Sequence, residues 1–213
     1  QAGPAAPRQG LPVTPLVASM FQLAARHSPD AASAALENRA ALVALAFLAS
    51  GQRLQPWLGS AARPAARPRS RRADLLLQGR VDFPQHLLIS AALAAEGGGP
   101  LADAIGLYKE VADARQGSGF SFRDIAADRA GTRLGLRARH DPLGFQARMA
   151  QGLTEADLLP DVSDLPEYLP ADEFQRRFGG VGAPAYQAML REIEARLDRL
   201  PLLAPVRGTG TVS

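Results

Sequence analysis

The stretch Asp82–Gly135 reads DFPQHLLISAALAAEGGGPLADAIGLYKEVADARQGSGFSFRDIAADRAGTRLG, and its patterning decides the fold. Three helical periods are separated by two glycine loops, Gly97-Gly98-Gly99-Pro100 and Gln116-Gly117-Ser118-Gly119. The same stretch holds a histidine, two carboxylate pairs and Lys109, the single lysine of the chain. Polar groups are concentrated here more densely than in the flanking segments, which places the candidate site.

At about 100° per residue around a helix, His86 shares a face with Phe83, Ile89, Ser90 and Leu93. Leu87, Leu88, Ala91 and Ala92 cover the other sides. A helix that is apolar all round is expected to be buried. His86 is therefore expected to be desolvated, neutral and in need of a hydrogen-bond partner. It reads equally as a core histidine satisfied by one bond and as a metal ligand or acid/base group.

In the second period Leu101, Ala104, Ile105, Tyr108, Val111 and Ala112 form an apolar stripe, and Glu110 and Asp113 project from the opposite side. That side is solvated unless a neighbouring helix packs over it. Lys109 and Asp113 are spaced as an i,i+4 ion pair, worth about 0.2–0.5 kcal/mol.

The third period sets Phe122, Ala126, Ala127, Ala130 and Leu134 against a face of Ser121, Asp124, Asp128, Gly131, Thr132 and Gly135. Small residues on that face admit a second backbone at close range. A close neighbour would trap two carboxylates spaced i,i+4, and their repulsion must be relieved by a cation, an arginine or a proton. Ser121-x-x-Asp124 is spaced as a capping box, which gives Asp124 a structural role. Asp128 has no such role, and Arg129 and Arg133 offer an ion-pair network in competition with a metal site. The loop Gly117-Ser118-Gly119 precedes a helix N-terminus, where N–H groups meet anions. It matches neither the P-loop nor the G-x-S-x-G spacing. Ser118 and Ser121 are nucleophile candidates only within reach of His86.

Outward from this centre, residues 1–10 lack apolar periodicity and read as an arm. Leu11–His27 carries Leu16, Met20, Leu23 and Ala24 at helical spacing, and Ser28-Pro29 stops that helix and restarts another, with Ser28 as its cap. Ala31–Ala49 follows, closed by Gly51, so that 11–51 is expected to be an antiparallel helix pair. Residues 52–72 hold three prolines and a run of arginines from Arg63 to Arg72, which excludes a regular helix and predicts an exposed connection. Leu75–Leu77 is a candidate strand. Downstream, helices are expected over Pro142–Gln151, Glu155–Leu159 (with Thr154 and Asp157 as a box), Asp172–Phe178 and Pro184–Leu200, ahead of a tail at 204–213. The last helix would bury Tyr186, Met189, Leu190, Ile193 and Leu197. The sum is a mostly α, single-domain protein over 11–203, with a central three-helix polar cluster and an exposed Arg/Pro-rich loop.

With 213 residues and 46% hydrophobic content the chain can bury a core. It has no cysteine, which excludes disulfides, thiol nucleophiles and Cys-based zinc sites. Net charge is +3, and the clustered arginines lie in a Pro/Ala-rich segment without interleaved aromatics, so no specific nucleic-acid partner is expected. No continuous apolar run approaches the roughly 20 residues that span a bilayer, and the chain is expected to be soluble. Its opening, QAGPAAPRQG without Met, is the form expected of a mature N-terminus after export.

Asp82…His86, then Lys109-Glu110-x-x-Asp113, then Phe120-Ser121-x-x-Asp124-x-x-x-Asp128-x-x-Gly131 resembles the YfiM-like family of small, uncharacterised bacterial envelope lipoproteins. More distantly it is similar to VanZ-like helical proteins. The match covers about a quarter of the chain, which is longer than the family and shows no lipobox cysteine. The resemblance implies a bacterial cell-envelope location, periplasmic or outer-envelope associated, and a shared cluster of His86, Glu110, Asp113, Asp124 and Asp128.

Three functions compete. The first is a hydrolase or lyase acting on an envelope polymer, foremost a glycan such as peptidoglycan. Glu110 would be its general acid, Asp113, Asp124 or Asp128 the partner carboxylate, and His86 would orient or exchange a proton. Lys109, Ser118, Ser121 and Arg129 would contact substrate. The second needs no organic cofactor but a divalent metal held by His86 and the carboxylates, although no H-E-x-x-H pair is present. The third is a non-catalytic scaffold, its cluster an ion-pair lock and its Arg-rich loop a peripheral contact for acidic lipids or polymers.

Overall fold

A computed structural model describes residues 10–51, 74–97 and 119–204. Among them eight helices follow in chain order: α1 Val13–Arg26, α2 Ala31–Ala49, α3 Asp82–Gly97, α4 Phe122–His140, α5 Pro142–Ala150, α6 Glu155–Leu158, α7 Ala171–Phe178 and α8 Pro184–Asp198. Two short strands, β1 Gly10–Pro12 and β2 Asp74–Leu76, pair in parallel. The protein is mostly helical, as its periodicity predicts, and its buried apolar residues form one continuous core. The Arg/Pro-rich loop, the second central period and both termini lie outside the described residues.

Leu11 belongs to β1 and not to the first helix, which starts at Val13. The strand pairing explains Gly10, where a Cβ would stand 2.7 Å from the Asp74 carbonyl oxygen. On α1 the buried side is Val13, Val17, Phe21 and Ala24; of the expected stripe Ala24 is buried, Leu16 and Met20 pack at the margin of the core, and Leu23 is 45% exposed. Phe21 sets this rotation by meeting Phe145 of α5 edge-on at 5.3 Å between ring centroids. A large aromatic anchor outweighs the leucine count on the opposite side.

Asp30, not Ser28, caps α2: its carboxylate accepts from Ser33 N–H, and Ser33 Oγ accepts from Asp30 N–H. Ser28 Oγ instead donates to Ala24 O and accepts from Gln146 Nε2. Gln146 also donates to buried Asn38 Oδ1, and Asn38 Nδ2 donates to Pro142 O, so one polar chain ties α1, α2 and α5 together. Ala31–Ala49 reaches a mean hydropathy of 1.4, which makes it long and apolar enough to span a membrane by length and composition. The core helix of a soluble protein can have the same length and composition, and Glu37, Asn38 and Arg39 still interrupt the apolar run. Here α2 contributes Leu42 and Leu45 to the core.

The α3–α4 contact organises the centre. A Cβ at Gly131 would stand within 3.0 Å of three backbone atoms of Leu87, and one at Gly135 would meet the Ala91 carbonyl oxygen and, at 2.8 Å, the Ala94 methyl. The close backbone approach expected of the small-residue face therefore forms, and α3 is the neighbour. Residue numbers advance together along the contact, so α3 and α4 run parallel with their N-termini at one end. Arg39, midway along α2, pairs with Glu96 at the end of α3 at 2.6 Å, and the later α2 residues Val43–Ser50 lie beside the earlier α3 residues Ile89–Leu93, so those two helices run in opposite senses.

Beyond α4, Phe120, Phe122, Phe174, Phe178 and Tyr186 build an aromatic cluster, with Phe120 and Phe174 stacked at 4.2 Å. Phe120 and Leu169 exchange two backbone hydrogen bonds, 2.7 and 3.0 Å, pinning the 159–170 loop to the start of α4. The Thr154/Asp157 capping box is present as expected. On α8, Tyr186, Ile193 and Leu197 are buried, while Met189 and Leu190 pack at the margin of the core.

Candidate functional site

Residues i and i+4 on one helix share a face, and the α3–α4 contact turns two such pairs toward each other. His86 and Ser90 come from α3, Asp124 and Asp128 from α4. His86 Nδ1 lies 3.2 Å from Asp128 Oδ1, and His86 Nε2 lies 3.6 Å from Asp124 Oδ2. Ser90 Oγ donates to the same Asp128 oxygen at 2.7 Å. The side chains of His86 and Asp128 are only 6% and 7% exposed and that of Asp124 is 14% exposed.

Burial of His86 agrees with expectation, but its surroundings differ from those of a neutral core histidine. A neutral imidazole has one N–H and can serve one carboxylate. Here a carboxylate faces each ring nitrogen, Asp128 at Nδ1 and Asp124 at Nε2. Asp128 Oδ2 is buried and accepts no hydrogen bond. Such an orphaned acceptor costs about 1–3 kcal/mol, more when charged, so its retention calls for a compensating role.

Ser90 was passed over as a site residue. Its signal was available, since it stands four residues after His86 on the same face. Ser121 is found as the cap of α4, its Oγ accepting from Asp124 N–H at 3.1 Å. The Ser121 half of the expected capping box is thus in place, while Asp124 Oδ2 is turned to His86. Arg129 Nη1 donates to Glu194 of α8 at 3.0 Å, and Arg133 holds Glu194 and Asp198. These ion pairs link α4 to α8, and Asp128 is met by His86 and Ser90 in place of the arginine network expected around it. Lys109, Glu110, Asp113 and Ser118 lie outside the described residues. Among the described residues, no group of three or more histidines and carboxylates has the arrangement of a metal site.

At the shared N-terminal end of α3 and α4 lies a second charged group. Arg80 donates to Asp82 at 2.5 Å and to Glu167 at 2.6 Å, and Arg123 reaches Glu167 at 2.7 Å. Burial would raise the Asp82 carboxyl, but the hydrogen bonds and charge of Arg80 outweigh it and hold it below the usual range. The Arg80 guanidinium lies 4.5 Å over the Phe83 ring and 6.0 Å from that of Tyr168. Tyr168 is 63% exposed and has φ +56°, an uncommon backbone state for a non-glycine residue. Its backbone closes on Gly119, where a Cβ would stand 2.5 Å away, so the turn into α4 requires glycine.

No protein-family model matches the chain, and no curated protein or solved structure is significantly similar to it.

Proposed function

We propose that the protein is a bacterial cell-envelope hydrolase or lyase that acts on an envelope glycan such as peptidoglycan by acid–base chemistry at His86 and Asp124. The observation that carries this is the histidine set between buried Asp128, which keeps an unsatisfied oxygen, and partly exposed Asp124. Asp128, steadied by Ser90, fixes the imidazole through Nδ1. Nε2 then faces Asp124 at 3.6 Å, and either group can pass a proton to or from a glycosidic oxygen or a sugar carbon. The envelope location rests on the resemblance to YfiM-like proteins, and the glycan on the suitability of a carboxylate pair for that chemistry. Glu110 and Asp113 remain the proposed additional carboxylates.

A second proposal, the structural lock, is favoured by the enclosure of the same three side chains. Digestion of purified sacculi separates the two. The expected result is fragment release by the wild type, its loss in Asp124→Asn, and an unchanged melting temperature in that variant. Equal silence from both proteins, with Asp124→Asn lowering the melting temperature, would reject the enzyme in favour of the lock.

A further inference from the structure

We infer that Ser90 is a positioning residue that decides which nitrogen of His86 exchanges protons. Its hydroxyl locks Asp128 so that Nδ1 keeps its hydrogen, and Nε2, on the Asp124 side, is the nitrogen that gains and loses one. A neutral ring has a single N–H to give, and two carboxylates face it. Three observations decide for Asp128. The Nδ1 contact is 3.2 Å, within hydrogen-bond reach, whereas the Nε2 contact is 3.6 Å and beyond it. The Asp128 side chain is 7% exposed against 14% for Asp124, so water does less for it and it gains more from a donor.

The third observation is Ser90 itself. It stands one turn after His86 on α3, so both side chains reach Asp128 from one face. A carboxylate only accepts, so the 2.7 Å contact is a donation from the Ser90 hydroxyl, and it falls on Oδ1, the oxygen that His86 meets. Two groups from successive turns thus converge on one oxygen, while Oδ2 accepts nothing. The carboxyl is held against rotation with its occupied oxygen on Nδ1. A single imidazole contact would leave it to turn. The same geometry removes Ser90 as a nucleophile, because its proton is committed to a carboxylate and not to the imidazole, and the residue is 2% exposed. With the hydrogen at Nδ1, the lone pair of the neutral ring lies at Nε2. What Nε2 does to a substrate rests on the acid–base reading above; the place of the hydrogen does not.

The test uses the full chain, labelled with nitrogen-15 and without substrate. His27→Gln and His140→Gln, at two exposed positions, leave His86 as the single imidazole. Long-range proton–nitrogen correlation spectra distinguish a protonated ring nitrogen from one with a lone pair, as pH is raised until the ring is neutral. The expected result is a hydrogen at Nδ1 and a lone pair at Nε2. Ser90→Ala should lower the ratio of the Nδ1–H to the Nε2–H form by about threefold or more, a share of what one hydrogen bond to a charged group is worth. Ser90→Cys keeps the size with a weaker donor and should fall between the two; it stands in for the alanine variant if that one fails to fold. An Nε2–H ring, an even mixture, or a ring that keeps both hydrogens until the protein unfolds in alkali would each overturn the inference. So would an unchanged ratio in Ser90→Ala, whatever its melting temperature, since a purely structural serine moves stability and not the tautomer. Sacculi left undigested by the wild type would sink the enzyme and leave this arrangement standing.

Discussion

One helix, α4, carries charge into two seams that differ in almost every physical respect. Toward α3 it offers Asp124, Asp128 and two glycines, and the backbones close until no side chain larger than hydrogen fits at Gly131 and Gly135. Toward α8 it offers Arg129 and Arg133, whose long side chains span the gap to Glu194 and Asp198. In the first seam His86 and Asp128 are under a tenth exposed; in the second, Glu194 and Asp198 are 31% and 50% exposed. The same chemical pairing therefore has different consequences. Water can compensate a lost partner toward α8, whereas toward α3 the burial of Asp128 limits that compensation.

Removing the histidine tests this contrast most severely. His86→Leu removes the ring nitrogen that faces the buried Asp128 carboxylate at 3.2 Å, and breaking a buried pair in this way costs about 3–5 kcal/mol. Urea denaturation at neutral pH should show that loss. A stability within 1 kcal/mol of wild type, on the order of an exposed pair, would mean that water reaches the cluster and that the two seams are alike. Next is Gly131→Ala, which drives a methyl group into the Leu87 carbonyl. Because backbone cannot turn aside as a side chain can, the cost should reach the upper part of the usual overpacking range of about 1–3 kcal/mol. Ala147→Gly, at a helical position on α5 away from both seams, controls for helix propensity, at about 1 kcal/mol. On the α8 side, Glu194→Gln should cost under about 1 kcal/mol and lose its effect in high salt. The order His86, Gly131, Glu194 is the sharpened form of the comparison, and any inversion breaks it.

How much of these seams could be read in the sequence follows from the range of the interactions. Gly131 and Gly135 announce a close neighbour because an absent side chain admits one whatever the neighbour is. The identity of the neighbour is not in the spacing, and it is α3 that places His86 between Asp124 and Asp128. The Thr154/Asp157 box was legible because both partners lie within one turn. Asp30 was missed as a cap although Ser33 follows at the right distance, because Ser28-Pro29 offered a competing signal two residues earlier. Arg129 and Arg133 pair with residues some 65 positions downstream, and β1 pairs with β2 across a similar separation. Local periodicity carries no information about such partners. The rotation of α1 was misread for a related reason, since Phe145 fixes it from another helix.

The smallest expected effect probes the exposed extreme of the same contrast. Asp164 accepts from both Arg196 nitrogens at 2.6 Å, and these hydrogen bonds pull its carboxyl down to about 2 although its side chain is 64% exposed. A carboxyl depressed by folding contributes stability above its unfolded value, near 3.9, and loses it as pH falls through the folded value. The contribution should therefore be complete at neutral pH and fade between about pH 4 and pH 2. Because the Asp164 side of the pair faces solvent, salt screens it and only a small shift in melting temperature is expected. Asp164→Asn should melt slightly earlier than wild type at pH 7 in low salt. The two proteins should converge on acidification, and again at high ionic strength. A difference that grew with acid, or that ignored salt, would show that Asp164 acts through packing of the 161–165 turn, and that exposure does not separate strong from weak ion pairs in this protein.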